Sequence, residues 1–451
     1  MFMNIALSIY LLVLIFIAVK SAGKVKDIPD FFIARRRASV KAVAGSLVAT
    51  ILGGSAVIGA VDSGVRLGGA ASWFMLVGAL GLLALIPFAE RAYRLGKYSL
   101  PDLVENMYGR GPRTVASIII PVAWTGIVAA QIIASAKLLM TFTPLGYTEA
   151  AVLSAVLFTG YTAAGGQYSI LRTDMLQAFL IVTGLFVLSG ASLFSAGSAL
   201  DQVMQKAPAF PFNENFTPFE LFLLILTYGT TFTAGPDMFS RIFCAKDAAT
   251  AKRAIAAAAA VLVPVAFVIG FLAVYGTGVE GEGAKITLIA LRILPEPLVP
   301  LIALSLLSVV LSSADTTLLS SSVIFCGIFR DQRTTLPKVR TVIVLNGILA
   351  LLLALVFTDI IGTLLLALAV YAGAFTVPVL WGLAGFRTRP GFVAAAVVSG
   401  GILALAGKLL PVFADQAGRH AGDFLMIAAF AVNALCLFAG NRFSHFRKNR
   451  V

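Results

Sequence analysis

The stretch SLVATILGGSAVIGAVDSG, residues 46–64, is long and apolar enough to cross a bilayer, yet it carries Gly53, Gly54 and Ser55 at its middle. Adjacent glycines cost helix stability, because glycine loses the most backbone entropy on ordering. Either small residues let helices pack closely here, or the span breaks at membrane depth. Unwound backbone at that depth is tolerated only where it lines a cavity or holds a ligand.

A second stretch has the same character. LTYGTTFTAGPDMFSR (226–241) contains Gly229, three threonines after it and the breaker Ala234-Gly235-Pro236. Around both stretches lie apolar segments of about 20 residues, the length a membrane helix needs. The chain of 451 residues is 59% hydrophobic and 12% charged; soluble domains carry about a quarter charged residues. The pattern predicts an all-α polytopic membrane protein of about thirteen spans. These are 2–22, 42–64, 70–90, 115–138, 146–164, 173–196, 218–240, 253–275, 296–329, 339–358, 359–385, 391–411 and 422–440. The run 296–329 exceeds what a bilayer needs, and Pro300 offers a break. Residues 2–22 lack a basic start and a small-residue cleavage site, so they read as a retained helix rather than a signal peptide.

The formal net charge of +13 does not point to nucleic acid. With an external amino terminus, 27 of the 34 lysines and arginines fall in cytoplasmic loops, the positive-inside distribution. The carboxyl terminus is then cytoplasmic and the loop 197–217 external and lid-like. The expected location is the plasma membrane, the inner membrane of a bacterium. Lipid is the expected surrounding partner, and the basic stretches 34–41 and 445–450 would face anionic lipid. Three cysteines, Cys244, Cys326 and Cys436, and two histidines, His420 and His445, are too scattered for transition-metal or general-base chemistry, which argues against an enzyme.

Omitting the first helix makes the interrupted spans numbers one and six of the remainder. Paired breaks in corresponding halves mark a central binding site between inverted repeats. The expected organisation is one transporter domain, 1–451. It has an extra helix at 1–22, a five-helix repeat at 42–196, a second at 218–385 and two further helices within 391–440.

The helix VVLSSADTTLLSSS (309–322) is unusually rich in oxygen for a membrane span. At about 100° per residue, Ser312, Asp315 and Thr316 share one face, and Ser313, Thr317 and Ser320 form the neighbouring stripe. Such stripes suit a hard monovalent cation. Hydroxyls can instead bond back to their own helix. A mid-membrane aspartate costs at least about 3 kcal/mol and generally has a partner and a task. Asp174, at the start of the sixth span, is a second carboxylate in reach of the membrane interior.

Five pieces in order resemble the sodium/solute symporter family: DFFIARRRAS (30–39), YSLPDLVENMYG (98–109), YTAAGGQYSILRTDMLQ (161–177), GPDMFSRIFCAKDAATAKRA (235–254) and LSSADTTLLSSS (311–322). The third is the most specific. The resemblance implies a leucine-transporter-like core of two inverted five-helix repeats, no organic cofactor, and a sodium site. By carry-over, its ligands are the carbonyls of Ala49, Leu52 and Val309 with the hydroxyls of Ser312 and Ser313. Some members hold a second sodium, which here implies Asp174, Ser312, Asp315 and Thr316.

The substrate site is expected at Gly53, Gly54, Ser55 and Ala56, facing Tyr228 and Thr231, with Trp124, Gln131 and Tyr371 as further candidates. Packing is the alternative for each. Asp62 and Lys137 could pair near the external side, although a snorkelling lysine explains Lys137 as well. The expected function is sodium-coupled import of a small organic solute, such as an amino acid or carboxylate, by a single chain. A proton-coupled carrier using Asp174 or Asp315 and a carrier-fold sensor are the alternatives. The absence of a signalling segment after FRKNR weighs against the sensor.

Overall fold

The computed structural model describes residues 2–196, 208–281, 284–328, 335–357, 360–413 and 415–448. It is helical throughout, and no β-strand occurs among these residues beyond isolated pairings. The principal helices are α1 (Phe2–Ala22), α2 (Val40–Ile51), α3 (Trp73–Leu95), α4 (Arg110–Phe142), α5 (Tyr147–Ala196) and α6 (Pro236–Cys244). They continue as α7 (Ala248–Gly276), α8 (Val299–Cys326), α9 (Leu336–Val356), α10 (Ile360–Leu383), α11 (Pro390–Phe413) and α12 (Asp415–Lys448). Ten helices among the described residues are long and apolar enough to cross a membrane.

The first predicted break is present. Ser39 caps α2 by accepting from the Ala42 N–H, and the helix ends at Leu52 (φ −74°, ψ 56°). After Gly53 and Gly54 the chain resumes as a π-helical turn, Ser55–Gly59, and runs into Ala60–Asp62. The two arms meet at 57°. The second break is narrower than the sequence suggests. Pro218–Leu224, a π-helical turn at Ile225–Gly229 and Thr230–Ala234 form one continuous stretch. Only Gly235 leaves the helix (φ −73°, ψ 145°), and Pro236 opens α6. A proline there is inexpensive, since the first-turn N–H has no helical acceptor.

α5 joins the predicted spans 146–164 and 173–196 across Gly166, whose φ of +52° lies in the left-handed region. A Cβ at Gly166 would stand 2.7 Å from the Phe31 ring, so only glycine lets the segment Ile28–Ile33 lie against the bend. Pro300 does not break the long ninth run. It sits in the first turn of α8, after a separate helix Lys285–Ile293 and a 3₁₀ turn at Glu296–Leu298.

α8 packs on α4, α5 and α2, and nearly all of its side chains are buried. A helix enclosed on every side needs no amphipathic pattern, which leaves its oxygens free to face several neighbours. α1 is part of the packed body: the Tyr10 hydroxyl and Ser308 Oγ lie 2.7 Å apart in a buried contact. The two broken segments are joined at both ends. On one side the Ala38 N–H donates to Cys244 O (2.9 Å) and the Lys246 N–H to Ala38 O (3.1 Å). On the other, Pro208–Phe216 lies over Leu67–Trp73: Trp73 Nε1 donates to Pro211 O (3.0 Å), Asn213 Nδ2 to Leu67 O (3.0 Å), and Trp73 stacks on Phe210. The predicted lid 197–217 is described only from residue 208; the rest lies outside the described residues.

Candidate cation and solute site

The last carbonyls of a helix lack intrahelical partners, and α2 ends among buried residues at Ile51 and Leu52. α8 supplies what is missing. Ser312 Oγ donates to Ala49 O (2.8 Å) and is 3.3 Å from Val309 O on its own helix. Ser313 Oγ donates to Thr50 O (3.1 Å). Of the five expected ligands of the first sodium position, Ala49, Val309 and Ser312 therefore share one hydrogen-bonded junction. Ser313 lies beside it, on Thr50 rather than Leu52. Leu52 is the residue at which the helix unwinds. Gly53 belongs to the same junction: a Cβ there would stand 2.8 Å from Ser313 Oγ.

One turn along α8 lies a fully buried charged cluster. Asp315 accepts from the Tyr161 hydroxyl (2.5 Å) and from Thr316 Oγ1 (3.3 Å). Thr316 Oγ1 is 3.4 Å from Thr50 Oγ1. Asp174 accepts from Ser46 Oγ and pairs with the guanidinium of Arg241 (3.3 Å). Arg241 also donates to Ser46 Oγ (3.0 Å), Ser240 Oγ (2.9 Å) and Thr316 Oγ1. Three of the four residues expected at a second sodium position, Asp174, Asp315 and Thr316, thus gather in one region, with a positive side chain among them, and Ser312 lies one turn away on Ala49 O. Sequence reading passed over Arg241 and Ser46. Asp237 and Arg241 stand four residues apart directly after the Gly-Pro break, and that spacing was the available signal.

A cavity of about 70 Å³ lies beside the broken end of α2. Gly53, Trp124, Gln131, Tyr228 and Thr231 line it, together with Thr317 of the hydroxyl stripe and with Asp237, which the sequence did not single out. Trp124 Nε1 donates to Asp237 Oδ2 (2.8 Å). Gln131 Oε1 is buried without a hydrogen-bond partner among the described residues, and it faces the Gly54 backbone. The remaining candidates fall outside the lining. Tyr371 lies behind Trp124, edge-on with ring centroids 4.7 Å apart, and its hydroxyl donates to Ala234 O. Ala56 is buried, and the side chain of Ser55 is outside the described residues. Asp62 accepts from the Lys285 backbone N–H (2.7 Å).

The model of the sodium:solute symporter family matches residues 31–391. The chain belongs to the sodium:solute symporter family. Relatives of the chain include the human sodium/iodide cotransporter, 28% identical over 179 residues, which are 39% of this chain and 27% of that one. The uncharacterized symporter YwcA of Bacillus subtilis (strain 168) is 26% identical over 187 residues, 39% of this chain and 36% of its own. The matched stretches therefore span about a quarter to a third of the curated relatives' length. A Na+-coupled sialic acid symporter, solved in a substrate-bound outward-open state, superposes with a TM-score of 0.75 at 19% identity. That match covers 95% of this chain and 96% of the other. The chain has the leucine-transporter-like fold anticipated from its motifs, with many helices apolar enough to cross a membrane, and its family and structural neighbours are transporters, not enzymes.

Proposed function

We propose that the chain imports a small organic solute together with sodium, by alternating access. The observation that carries this reading is the junction of Ser312 with Ala49 across the broken end of α2. A helix end with spare carbonyls, met by two hydroxyls from a facing helix, is a set of neutral oxygens that suits a weakly charged hard cation. Sodium, as co-substrate, takes the carbonyls of Ala49, Leu52 and Val309 with Ser312 and Ser313. Turning the two hydroxyl hydrogens away frees their lone pairs.

The solute occupies the cavity of Gly53, Trp124, Gln131, Tyr228 and Thr231. Its chemistry is that of a small polar molecule, such as an amino acid or a carboxylate. Gly53 shares its backbone with both sites, so ion and solute stabilise each other's pocket, and this linkage is reciprocal. Loss of sodium on the cytoplasmic side loosens the junction and lets the solute leave inward. The working unit is a single chain in the plasma membrane, with thirteen crossings, an external amino terminus and two inverted repeats, 42–196 and 218–385.

A thermal-shift screen of solutes, with sodium against choline, tests the reading, because a ligand that binds only the folded protein raises its melting temperature. Uptake of the hit into vesicles then has to stop when choline replaces sodium. Uptake that persists in choline and follows the proton gradient would overturn it.

A further inference from the structure

A cavity of about 240 Å³ lies between α1 and α5, with α8 at its back. Leu11, Leu14, Leu157, Gly160, Tyr161 and Leu311 line it. Tyr161 supplies the one polar side-chain atom of this lining, and its hydroxyl is turned away to Asp315 (2.5 Å) and Leu311 O (3.3 Å). Ile15, Val19 and Val156 border the space and are exposed, so it opens sideways onto the surface that faces lipid. Water does not fill such a space: an apolar cavity of about 150 Å³ stays dry and takes an apolar guest. Left unfilled, its walls forfeit dispersion contacts. In a bilayer the guest at hand is an acyl chain.

A tail alone gives no selectivity, because lipid is as apolar as leucine. Charge supplies it. The crevice ends at Ala18, Val19 and Ala164, and four cations gather there. Lys20 follows Val19 directly. Lys24 Nζ and the Arg172 guanidinium stand 5.8 Å and 4.7 Å from the ring centre of Tyr168, one turn past Ala164. Arg340 of α9 donates to Ala163 O (3.0 Å) and Ala164 O (3.3 Å), beside the bend at Gly166. Among the described residues no carboxylate pairs with any of the four. The acids next along the chain from Lys24, Asp27 and Asp30, are taken by Arg35.

We propose that the crevice between α1 and α5 binds one anionic phospholipid, its acyl chain against Leu14, Gly160 and Tyr161 and its phosphate among Lys20, Lys24, Arg172 and Arg340. Each lysine or arginine near a membrane surface strengthens the hold on acidic lipid about 5-fold, and guanidinium forks match phosphate oxygens. In the orientation proposed above, this end faces the cytoplasmic leaflet, where the surface potential is negative. The bound lipid fastens α1 to α5. It also backs the ring of Tyr161, so an occupied crevice keeps that hydroxyl on Asp315 of the oxygen-rich helix. None of this depends on which ion or solute is carried.

The experiment titrates the full chain, purified in a neutral detergent, with phosphatidylglycerol or phosphatidylcholine. Native mass spectrometry follows the first lipid retained, and the melting temperature is read alongside. The wild type is expected to hold one phosphatidylglycerol at least about 10-fold more tightly than phosphatidylcholine, with a higher melting temperature. Lys20→Gln/Lys24→Gln/Arg172→Gln keeps the crevice and loses the preference. The same exchange at Lys97, Lys246 and Arg253, exposed cations outside the crevice, keeps it. Nothing stands within 4 Å of the Cβ position of Gly160, so Gly160→Phe fills the crevice without displacing a neighbour and stops retention of either lipid. Equal affinity for the two lipids on the wild type overturns the proposal. So does a preference that survives the crevice triple variant, one that the control triple loses as well, or full phosphatidylglycerol binding by Gly160→Phe. Should either crevice variant fail to fold, the wild-type comparison and the other variant decide.

Discussion

Ser312 Oγ lies 2.8 Å from the carbonyl oxygen of Ala49, and this contact joins the oxygen-rich helix to the interrupted one. It links residues 263 positions apart in sequence. The hydroxyl does what an ion at the same place would do: it answers a carbonyl that the end of α2 leaves without an N–H.

Removing the neighbouring hydroxyl therefore separates structure from ion binding. Ser313→Ala deletes the donor to Thr50 O, a net loss of about 1 kcal/mol for a neutral hydrogen bond. The expected result is a sodium concentration for half-maximal uptake raised about 5-fold or more, since 1.4 kcal/mol is a factor of ten. Sodium titration of uptake checks this, and an unchanged midpoint removes Ser313 from the ligand set.

Gly53 should tolerate no side chain. A Cβ 2.8 Å from Ser313 Oγ forces the hydroxyl from its place. Gly53→Ala is expected to weaken sodium and solute together, by similar factors, because both sites share that backbone. Gly111, which has nothing within 4 Å of its Cβ position, is the control, and Gly111→Ala should transport normally.

Trp124→Phe keeps the ring but removes the N–H that Asp237 accepts. Hydrogen bonds to charged groups contribute about 1.5–3 kcal/mol. The expected outcome is a KM for solute raised at least about 10-fold with protein levels near normal. An unaltered KM would take the Trp124 face of the cavity out of solute binding.

Asp247 lies outside the membrane and caps α7, where the Thr250 N–H holds its carboxyl below the usual carboxylate range. Its pKa is lower in the folded protein, so its contribution is present above the ordinary carboxylate pKa and is lost as pH falls through the depressed value. Asp247→Ala should lower the melting temperature at neutral pH, and the difference should shrink in strong acid. A difference that is constant across that range rules out the capping account.

Much of the architecture was legible because membrane helices announce themselves by length and apolarity, and because glycine pairs and Gly-Pro weaken helices wherever they stand. Gly53 and Gly235 show this. The narrower second break shows the limit: Gly229 and the threonines are held in helix by packing against α3 and α10, which no local signal reveals. The site was readable in parts. The hydroxyl stripe around Ser312 follows from helical periodicity. Arg241 did not stand out, because an arginine near a basic loop looks solvated until the fold turns it inward onto Asp174. Asp237 was hidden for the same reason, and Tyr371 was expected in the cavity yet stacks one layer behind it.

The two interrupted spans run antiparallel and are fastened at each end, by the Ala38–Ala245 pairing at one and by the Pro208–Phe216 strap at the other. A displacement of one is carried to the other, as in a frame with two cross-bars. Whatever turns this frame acts as a lever on the joint where Ala49 and Thr50 touch Ser312 and Ser313.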